Sequence, residues 1–141
     1  MATPIFPANV GRQSRLIAAA NIKFSDIANG SIVSGVNIAH LLDLPGNFIL
    51  LNGSIYVQTV FVGLTLPTIT IGDGTLTTRY ASAVALTAAA TTVFTATPFQ
   101  SSTIADAEAF LTFTGGPATA GSVWVIMEYI IPGRALELQP N

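Results

Sequence analysis

The sequence predicts an all-β protein, a single-domain jelly-roll-like β-sandwich of about eight strands. Ile, Val and Thr, whose branched side chains suit pleated surfaces better than helices, make up 41 of the 141 residues. The stretch from Leu44 to Asp73 alternates apolar and polar side chains with a period of two, which is typical of a strand with one buried face. The other apolar segments are short and are separated by turn residues such as Gly, Pro and Asn. Eight such strands in two facing sheets are the number found in a jelly roll, and an immunoglobulin-like sandwich is the alternative.

The order of elements follows from these turn signals. Residues 1–15 contain Pro4, Pro7 and Gly11 without any period, so we expect an extended arm, or else a disordered terminus. Residues 16–131 form the predicted sandwich, and residues 132–141 form a tail after Pro132-Gly133. The expected strands are Ala18–Phe24, Ile32–Ile38, Ile49–Phe61, Thr68–Ile71, Arg79–Leu86, Thr91–Thr97, Ala107–Thr114 and Ser122–Ile131.

The long strand is expected to form the central wall of the sandwich. Its predicted buried side consists of Ile49, Leu51, Ile55, Val57, Thr59 and Phe61, with a gap at Gly53. Its predicted outer side consists of Asn52, Ser54, Tyr56 and Gln58. His40 and Asp43 are expected in the loop that precedes this strand. The alanine-rich segment Ala81–Ala90 favours a short helix by propensity alone, but its Ser and Thr residues favour a strand.

The last strand is apolar on both faces. Val123, Val125 and Met127 share one face, which we expect in the core. Trp124, Ile126 and Ile130 share the other with Glu128, and we expect that face to meet a second subunit or a covering loop.

Charge is scarce along the whole chain. Only 12 residues are charged, 9% of the total, against about 25% in an ordinary soluble domain. The net charge of −2 gives no electrostatic case for binding nucleic acid or anionic lipid. A free monomer has little charge to keep it in solution, so we expect much of its surface to be buried against other chains.

Membrane insertion and export are not indicated. The longest unbroken apolar runs are five residues, Leu16–Ala20 and Val123–Met127, whereas a spanning helix needs about 20. The first residues lack the basic start and apolar core of a signal peptide. We therefore expect no membrane partner.

Catalytic and metal-binding patterns are weak. The chain has no cysteine, which excludes disulfides and cysteine metal sites, and it has one histidine, His40. A serine triad would have to combine His40 with Asp43 and with Ser31 or Ser34, but no nucleophile elbow is present.

Two further patterns have ordinary structural explanations. Asp106 and Glu108 lie two residues apart, as in some glycosidase or calcium sites, but a solvated strand edge is the commoner explanation. Gly72-Asp73-Gly74 is typical of a turn. We predict no enzymatic activity and no cofactor.

Aromatic side chains offer a different kind of site. Tyr56, Tyr80, Trp124 and Tyr129 are candidates for stacking on sugars, although core or interface packing is more common at alternating strand positions. Arg12, Arg15 and Lys23 form a sparse basic cluster that would reach acidic groups on a neighbouring chain.

Several motifs resemble those of small virion proteins of tailed bacteriophages. The matching residues are Leu44-Pro45, Ile69-Thr70-Ile71-Gly72-Asp73, Arg79-Tyr80 and Gly115–Tyr129, and the resemblance covers roughly residues 40–131. It implies a jelly-roll capsid decoration (cement) or head-fibre protein, often trimeric, and it carries over no catalytic residue.

Composition and resemblance together predict a structural virion protein. It would be made in the host cytoplasm, would bind the major capsid protein on the outer capsid surface and would stabilise contacts between capsomers. We expect a homo-oligomer, preferably a trimer, and the alternative is a receptor- or carbohydrate-binding module of a phage fibre. The candidate interface residues are Ile5, Phe6, Arg12, Arg15, Tyr56, Trp124, Ile130 and Arg134.

Overall fold

A computed structural model describes residues 15–26, 35–46, 48–73, 75–94, 105–114 and 117–131; residues 35–39, 105–111, 113 and 114 are described by their backbone alone. Each of the eight predicted strands has a counterpart in it. The strands are β1 (Leu16–Lys23), β2 (Gly35–Leu44), β3 (Ile49–Val62), β4 (Thr65–Gly72), β5 (Ala81–Ala85), β6 (Thr91–Phe94), β7 (Ala105–Thr114) and β8 (Ala120–Ile130). A short 3-10 helix, Phe24–Asp26, follows β1.

The strands form two four-stranded antiparallel sheets. The first sheet has the order β1-β8-β3-β6, and the second has the order β2-β7-β4-β5. Consecutive strands therefore cross repeatedly from one sheet to the other, and the last strand lies between the first and the third. Eight strands connected in this way form a jelly roll, so the predicted fold class is confirmed.

The core lies between the sheets. From the first sheet it contains Ile55, Val57, Val123, Val125 and Met127, and from the second it contains Ile69 and Ile71. Val123, Val125 and Met127 are completely buried, as their shared alternation in the sequence predicts. Burial of this apolar surface is the main term that holds the sheets together.

The predicted faces of β3 are only partly correct. Leu50 pairs with Tyr129 and Asn52 pairs with Glu128, so the strand has an extra residue between them. This β-bulge turns Leu50 into the core, whereas Ile49 and Leu51, which we predicted to be buried, are only half-buried. A second shift between Val57 and Thr59 leaves Thr59 exposed as well.

A similar shift explains a difference in β2. The strand continues to Leu44, so His40 and Asp43 lie within it and not in the predicted loop. A register shift between His40 and Leu42 brings Leu41 and Leu44 into the core, although their spacing does not fit a regular strand. Segment 81–85 is a strand, which settles the choice between strand and helix there.

Several predictions fall outside the described residues. These are the structure of the arm before Arg15 and the tail that follows Ile131. The division into arm, sandwich and tail therefore stays a prediction.

Candidate functional site

The outer face of the first sheet is the surface on which exposed apolar side chains gather. Of seven exposed large hydrophobic residues among those described, four belong to this face: Ile17 (67% exposed), Val93 (68%), Tyr56 (43%) and Trp124 (37%). The strands' inward residues fill the core, and the alternation of each strand leaves these side chains on the opposite side.

The strand register aligns the outward side chains into two neighbouring rows, which lie two residues apart along each strand. The aromatic row contains Asn21, Trp124, Tyr56 and Thr91, one from each strand in the order β1, β8, β3 and β6. The second row contains Ala19, Ile126, Ser54 and Val93 in the same order. These two rows are called the outer face below, and they contain no charged side chain. Ile17 lies beside them, in the next row, where it pairs with Glu128.

Hydrogen bonds fix the indole ring of Trp124 on this face. Its Nε1–H donates to Oε1 of Gln58 at 3.1 Å, and the Ser122 hydroxyl lies 3.5 Å from the same oxygen. Gln58 is the residue displaced by the β3 register shift after Val57, which places it between two positions of β8. Because its polar atom is satisfied within the chain, the ring presents an ordered apolar surface to a partner.

Charged groups lie beyond the rows, near the two ends of β1. Arg15 Nη1 and Glu128 Oε2 form an ion pair of 3.2 Å at one end. Lys23, which is exposed, lies at the other end opposite Ser122. The predicted role of Arg15 was contact with another chain, and the structure shows its guanidinium on an acid of its own chain. Such exposed ion pairs typically contribute about 0–1 kcal/mol to stability. Arg15 could therefore exchange this partner for an acid of another chain at little cost.

The other candidate interface residues have different outcomes. Ile130 is half-buried and pairs with Ile49 at the end of β8. Ile5, Phe6, Arg12 and Arg134 lie outside the described residues. The structure therefore brings together Tyr56 and Trp124, which are direct cross-strand neighbours. Ile17 and Val93 were missed.

Only part of the predicted aromatic platform is available to a ligand. Tyr80 is buried, at a ring-centroid distance of 6.5 Å from Phe48. Tyr129 packs edge-on against Phe48 at 6.1 Å and is half-buried. The sugar-stacking prediction is thus restricted to Tyr56 and Trp124.

A cluster of polar contacts around Asp73 links the start of the β4–β5 connection to its end at Arg79. Oδ1 of Asp73 accepts hydrogen bonds from the N–H of Thr75 at 2.9 Å and of Leu76 at 2.8 Å. Oδ2 of Asp73 forms an ion pair with Nε of Arg79. These contacts therefore join the Gly72-Asp73 and Arg79-Tyr80 motifs of the sequence; Gly74 of the predicted turn lies outside the described residues.

Burial and charge act against each other on Asp73. Burial alone would raise the pKa of its carboxyl, but the N–H of Leu76, the Arg79 guanidinium and the N–H of Thr75 together hold that pKa below its ordinary value of 3.8. Burial, and after it the negative charge of Asp73, raises the pKa of the neighbouring Tyr80 to about 12. The contacts of this cluster lie within the β4–β5 connection, and they stabilise that connection.

The acid and histidine patterns give no catalytic arrangement among the described residues. His40 Nε2 and Asp43 Oδ1 lie 2.8 Å apart on an exposed part of β2. Ser31 and Ser34, the proposed nucleophiles, and the side chains of Asp106 and Glu108 lie outside the described part of the chain. The backbone register pairs Asp106 with Asp43 and Glu108 with His40.

The described residues show neither a metal-binding cluster nor a membrane-spanning helix. They contain no group of three or more His, Cys, Asp or Glu side chains that would hold a metal ion. Within the same ranges, no helix has the length and hydrophobicity needed to cross a membrane.

The fold is similar to that of two chains in solved bacteriophage capsids. One belongs to the cyanophage Pam1 capsid asymmetric unit, with a TM-score of 0.64, 19% identity and coverage of 92% of this chain and 100% of that chain. The other belongs to the acidic stable capsid of Helicobacter pylori bacteriophage KHP30, with a TM-score of 0.57, 15% identity and coverage of 84% and 89%.

More distant and sequence-based comparisons add nothing to this likeness. A chain of the Bacillus endospore appendages gives a TM-score of 0.44 at 15% identity, which is too low to support an argument. No protein family and no curated protein matches the sequence. At these identities, the likeness to the two capsid chains establishes the fold.

Proposed function

We propose that this chain is a structural protein of a bacteriophage virion, and that it decorates the outer surface of the capsid and stabilises contacts between capsomers. The proposed role is non-enzymatic. It depends on the burial of weakly charged surface between copies and against the shell, at roughly 25 cal/mol per Å² of apolar area less the cost of ordering.

The observation that carries the proposal is the likeness to a complete chain of a capsid. The Pam1 capsid chain is covered over its full length by 92% of these 141 residues, so a separate jelly-roll chain of nearly the same size is present in that asymmetric unit. This likeness supports a structural subunit of a virion. The bacteriophage motifs in the sequence support the same assignment.

The surface supports an assembled state. A chain with 12 charged residues gains by burying the outer face, on which Trp124, Tyr56 and Val93 are exposed and no side chain is charged. Symmetric repetition on a shell turns weak contacts into strong overall attachment. We propose a homo-oligomer, with a trimer favoured by the resemblance, and the major capsid protein as its partner.

The segments on either side of the sandwich are proposed to clamp neighbouring subunits. The first contains Ile5, Phe6 and Arg12, and the second contains Arg134. In this proposal Ile5 and Phe6 are apolar anchors that insert between capsomers, and Arg12 and Arg134 contact the neighbouring subunits. Aromatic and Arg side chains often contribute most to the binding energy of such interfaces.

The test is binding to undecorated shells of the phage that encodes the chain. The full-length protein should co-sediment with the shells at a saturating ratio of many copies per particle and should raise the temperature at which they break open. Deletion of residues 2–14, which keeps Arg15 and its ion pair with Glu128, should reduce this binding without changing the unfolding midpoint. Asp43→Ala, on the exposed second sheet, is the matched control and should bind like the unaltered protein. Absence of co-sedimentation by the full-length protein would refute the proposal.

A carbohydrate-binding module of a fibre is the second candidate. The observation that favours it is the adjacent exposed pair Tyr56 and Trp124, with polar Gln58 and Asn21 nearby, since aromatic rings stack on sugar faces. This candidate predicts a few copies per particle and a glycan that raises the unfolding temperature of the isolated protein. A glycan array followed by that measurement distinguishes it from decoration.

A further inference from the structure

We infer that, in the free chain, residues 4–7 lie across the outer face of the same chain as a polyproline-II segment and cover Trp124 and Tyr56. The inference goes beyond the proposed function, because it concerns the chain before it meets a capsid. On the shell, the same segment would leave this face for its contacts with neighbouring subunits.

The start of β1 brings the preceding residues close to this face. β1 begins at Leu16, and Trp124 lies level with a position six residues along from Arg15, a distance of about 20 Å at the rise of a strand. Phe6 lies nine residues before Arg15, a span of up to about 30 Å. Gly11 lies between them and permits the backbone angles that a reversal of the chain needs. The segment is therefore long enough to turn back and reach Trp124.

The chemistry of the segment matches that of the face. Polyproline-II segments with the pattern Pro-x-x-Pro bind surfaces lined by aromatic side chains, and Pro4 and Pro7 have this spacing. With three residues per turn, the two proline rings lie on the same side of the segment. Trp124 and Tyr56 provide the aromatic surface, because they are cross-strand neighbours that are 37% and 43% exposed.

Backbone hydrogen bonding also favours proline on this face. Trp124 and Tyr56 belong to β8 and β3, the two central strands of the sheet, whose backbone N–H and C=O groups are directed to the neighbouring strands. A segment that lies on such a face finds few backbone partners there, and a buried N–H without a partner is unfavourable. Pro4 and Pro7 have no N–H, so the segment can be covered with fewer unsatisfied donors.

One acceptor on the outer face lacks a donor. Asn21 lies next to Trp124 in the aromatic row, and its Oδ1 is buried without a hydrogen-bond partner among the described residues. Buried acceptors nearly always have a donor in folded proteins. A backbone N–H of the crossing segment would supply that donor and would keep water away from the oxygen.

Charge distinguishes this segment from the other one that leaves the same end of the sheet. β8 is antiparallel to β1 and ends at Ile130, so residues 132–141 also follow from that end. They contain Arg134 and Glu137, whereas residues 2–10 contain no charged side chain. The outer face is also uncharged, and an ion placed on it would lose hydration without gaining a partner. We therefore assign the face to the first segment and use residues 132–141 as the control.

The test uses Trp124 as its own reporter, because it is the only tryptophan of the chain. Acrylamide quenching of its fluorescence should be about two-fold stronger in a chain that lacks residues 2–14, since Trp124, 37% exposed, loses its cover. Deletion of residues 132–141 is the matched control and should leave the quenching unchanged. The double variant Pro4→Ala and Pro7→Ala should also show stronger quenching than the full chain. The urea midpoint should stay close to that of the full chain, because the segment is held weakly enough to exchange.

A synthetic peptide of residues 2–14 tests whether this sequence itself covers the face. Added to the shortened chain, it should restore the protection of Trp124 at about millimolar concentration, because a short covalent connection supplies an effective concentration of that order. A peptide of the same composition, scrambled so that the two prolines are adjacent, should not restore it.

Proximity is tested with a nitroxide attached through a new cysteine, since the chain has no cysteine of its own. A nitroxide on the Ala8→Cys chain should quench Trp124 strongly, and equally strongly on dilution, because the contact lies within one chain. The same group on the Ala135→Cys chain, in the other segment, should quench Trp124 much less.

Each outcome bears on this inference separately from the decoration role. Stronger quenching after deletion of residues 2–14, but not of residues 132–141, supports it. Equal quenching in the full and shortened chains overturns it. Protection of Trp124 that disappears on dilution overturns it as well, because the face would then bind the segment of another copy. If a glycan protects Trp124 equally in both chains, the face is open in the full chain and the inference fails. Shell binding is measured independently, and its absence refutes the decoration role while this inference stands.

Discussion

Replacement of Asp73 is expected to be the most damaging change of any carboxylate whose side chain the structure describes. Asp73 is only 6% exposed, and its carboxylate accepts two backbone hydrogen bonds and forms one ion pair, which together hold the β4–β5 connection. Asp73→Ala leaves the N–H groups of Thr75 and Leu76 without this acceptor and removes the carboxylate partner of the Arg79 guanidinium.

The magnitude follows from these contacts. A hydrogen bond to a charged group contributes about 1.5–3 kcal/mol, and loss of one member of a buried ion pair costs about 3–5 kcal/mol. The terms are not additive, and the Arg79 side chain retains some contact with water, at 21% exposure, so we expect a loss of about 3–4 kcal/mol. For a chain of 141 residues this lowers Tm by about 10 °C.

The assay is urea unfolding of the isolated chain, followed by circular dichroism. Asp43→Ala is the matched control, because Asp43 is 89% exposed and its pair with His40 should contribute no more than about 0.5 kcal/mol. Equal losses for Asp73→Ala and Asp43→Ala would refute the reasoning, since they would show that burial and the three contacts of Asp73 do not matter.

The stabilisation by Asp73 should also depend on pH, which gives a second test of its role. Because the folded pKa of Asp73 lies below its ordinary value of 3.8, its stabilisation is fully present above that value and is lost as the pH falls through the folded pKa. The advantage of the unaltered chain over Asp73→Asn should therefore be constant above about pH 5 and should shrink below about pH 4. An advantage that grows on acidification would contradict the ionised state assigned to Asp73.

Three further predictions concern stability. The raised pKa of Tyr80, about 12 against 10, means that its contribution to stability is fully present below about pH 10 and is lost, on the order of 2–3 kcal/mol, as the pH rises through 12; Tyr80→Phe should remove this alkaline loss, and a persistent loss would contradict it. Gly121→Ala should cost more than about 2 kcal/mol, because Gly121 has a φ of 147° and a Cβ there would lie 2.5 Å from the Phe61 ring; an unchanged urea midpoint would contradict it. Ala83→Gly should be neutral or stabilising by up to about 1 kcal/mol, since Ala83 has a left-handed φ of 49°, whereas Ala85→Gly in the same strand should destabilise by about 0.5–1 kcal/mol; equal effects would contradict the difference.

Local patterns predicted the fold class well. Branched residues and turn dipeptides located all eight strands, and alternation in the last strand separated the core residues Val123, Val125 and Met127 from Trp124. These signals lie within one strand and its flanking turns, so they need no knowledge of what the strand pairs with.

Register could not be predicted in the same way. Leu50 and Leu51 are adjacent and chemically identical, and only a bulge opposite Tyr129 decides that Leu50 enters the core. The end of β2 shows the same limitation, because the shift after His40 depends on the pairing with β7. Bulges are properties of a strand pair, and a single strand's alternation does not contain them.

The candidate surface was found in part. Tyr56 stands out as an aromatic residue on the polar side of its strand, and Trp124 stands out on the second apolar face of the last strand. Ile17 and Val93 belong to edge strands with no such contrast. The ion pair of Asp73 with Arg79 was also missed, although an acid in a glycine turn followed six residues later by a lone arginine is a usable signal.

The central claim is that this chain is a many-copy outer component of a phage particle. The most direct measurement is quantitative mass spectrometry of particles purified from the phage that encodes it, with the major capsid protein as the internal reference. The account predicts a fixed, high copy number that drops when the particles are rebuilt with chains lacking residues 2–14. Absence of the chain from purified particles, or its presence in only a few copies, would contradict the account.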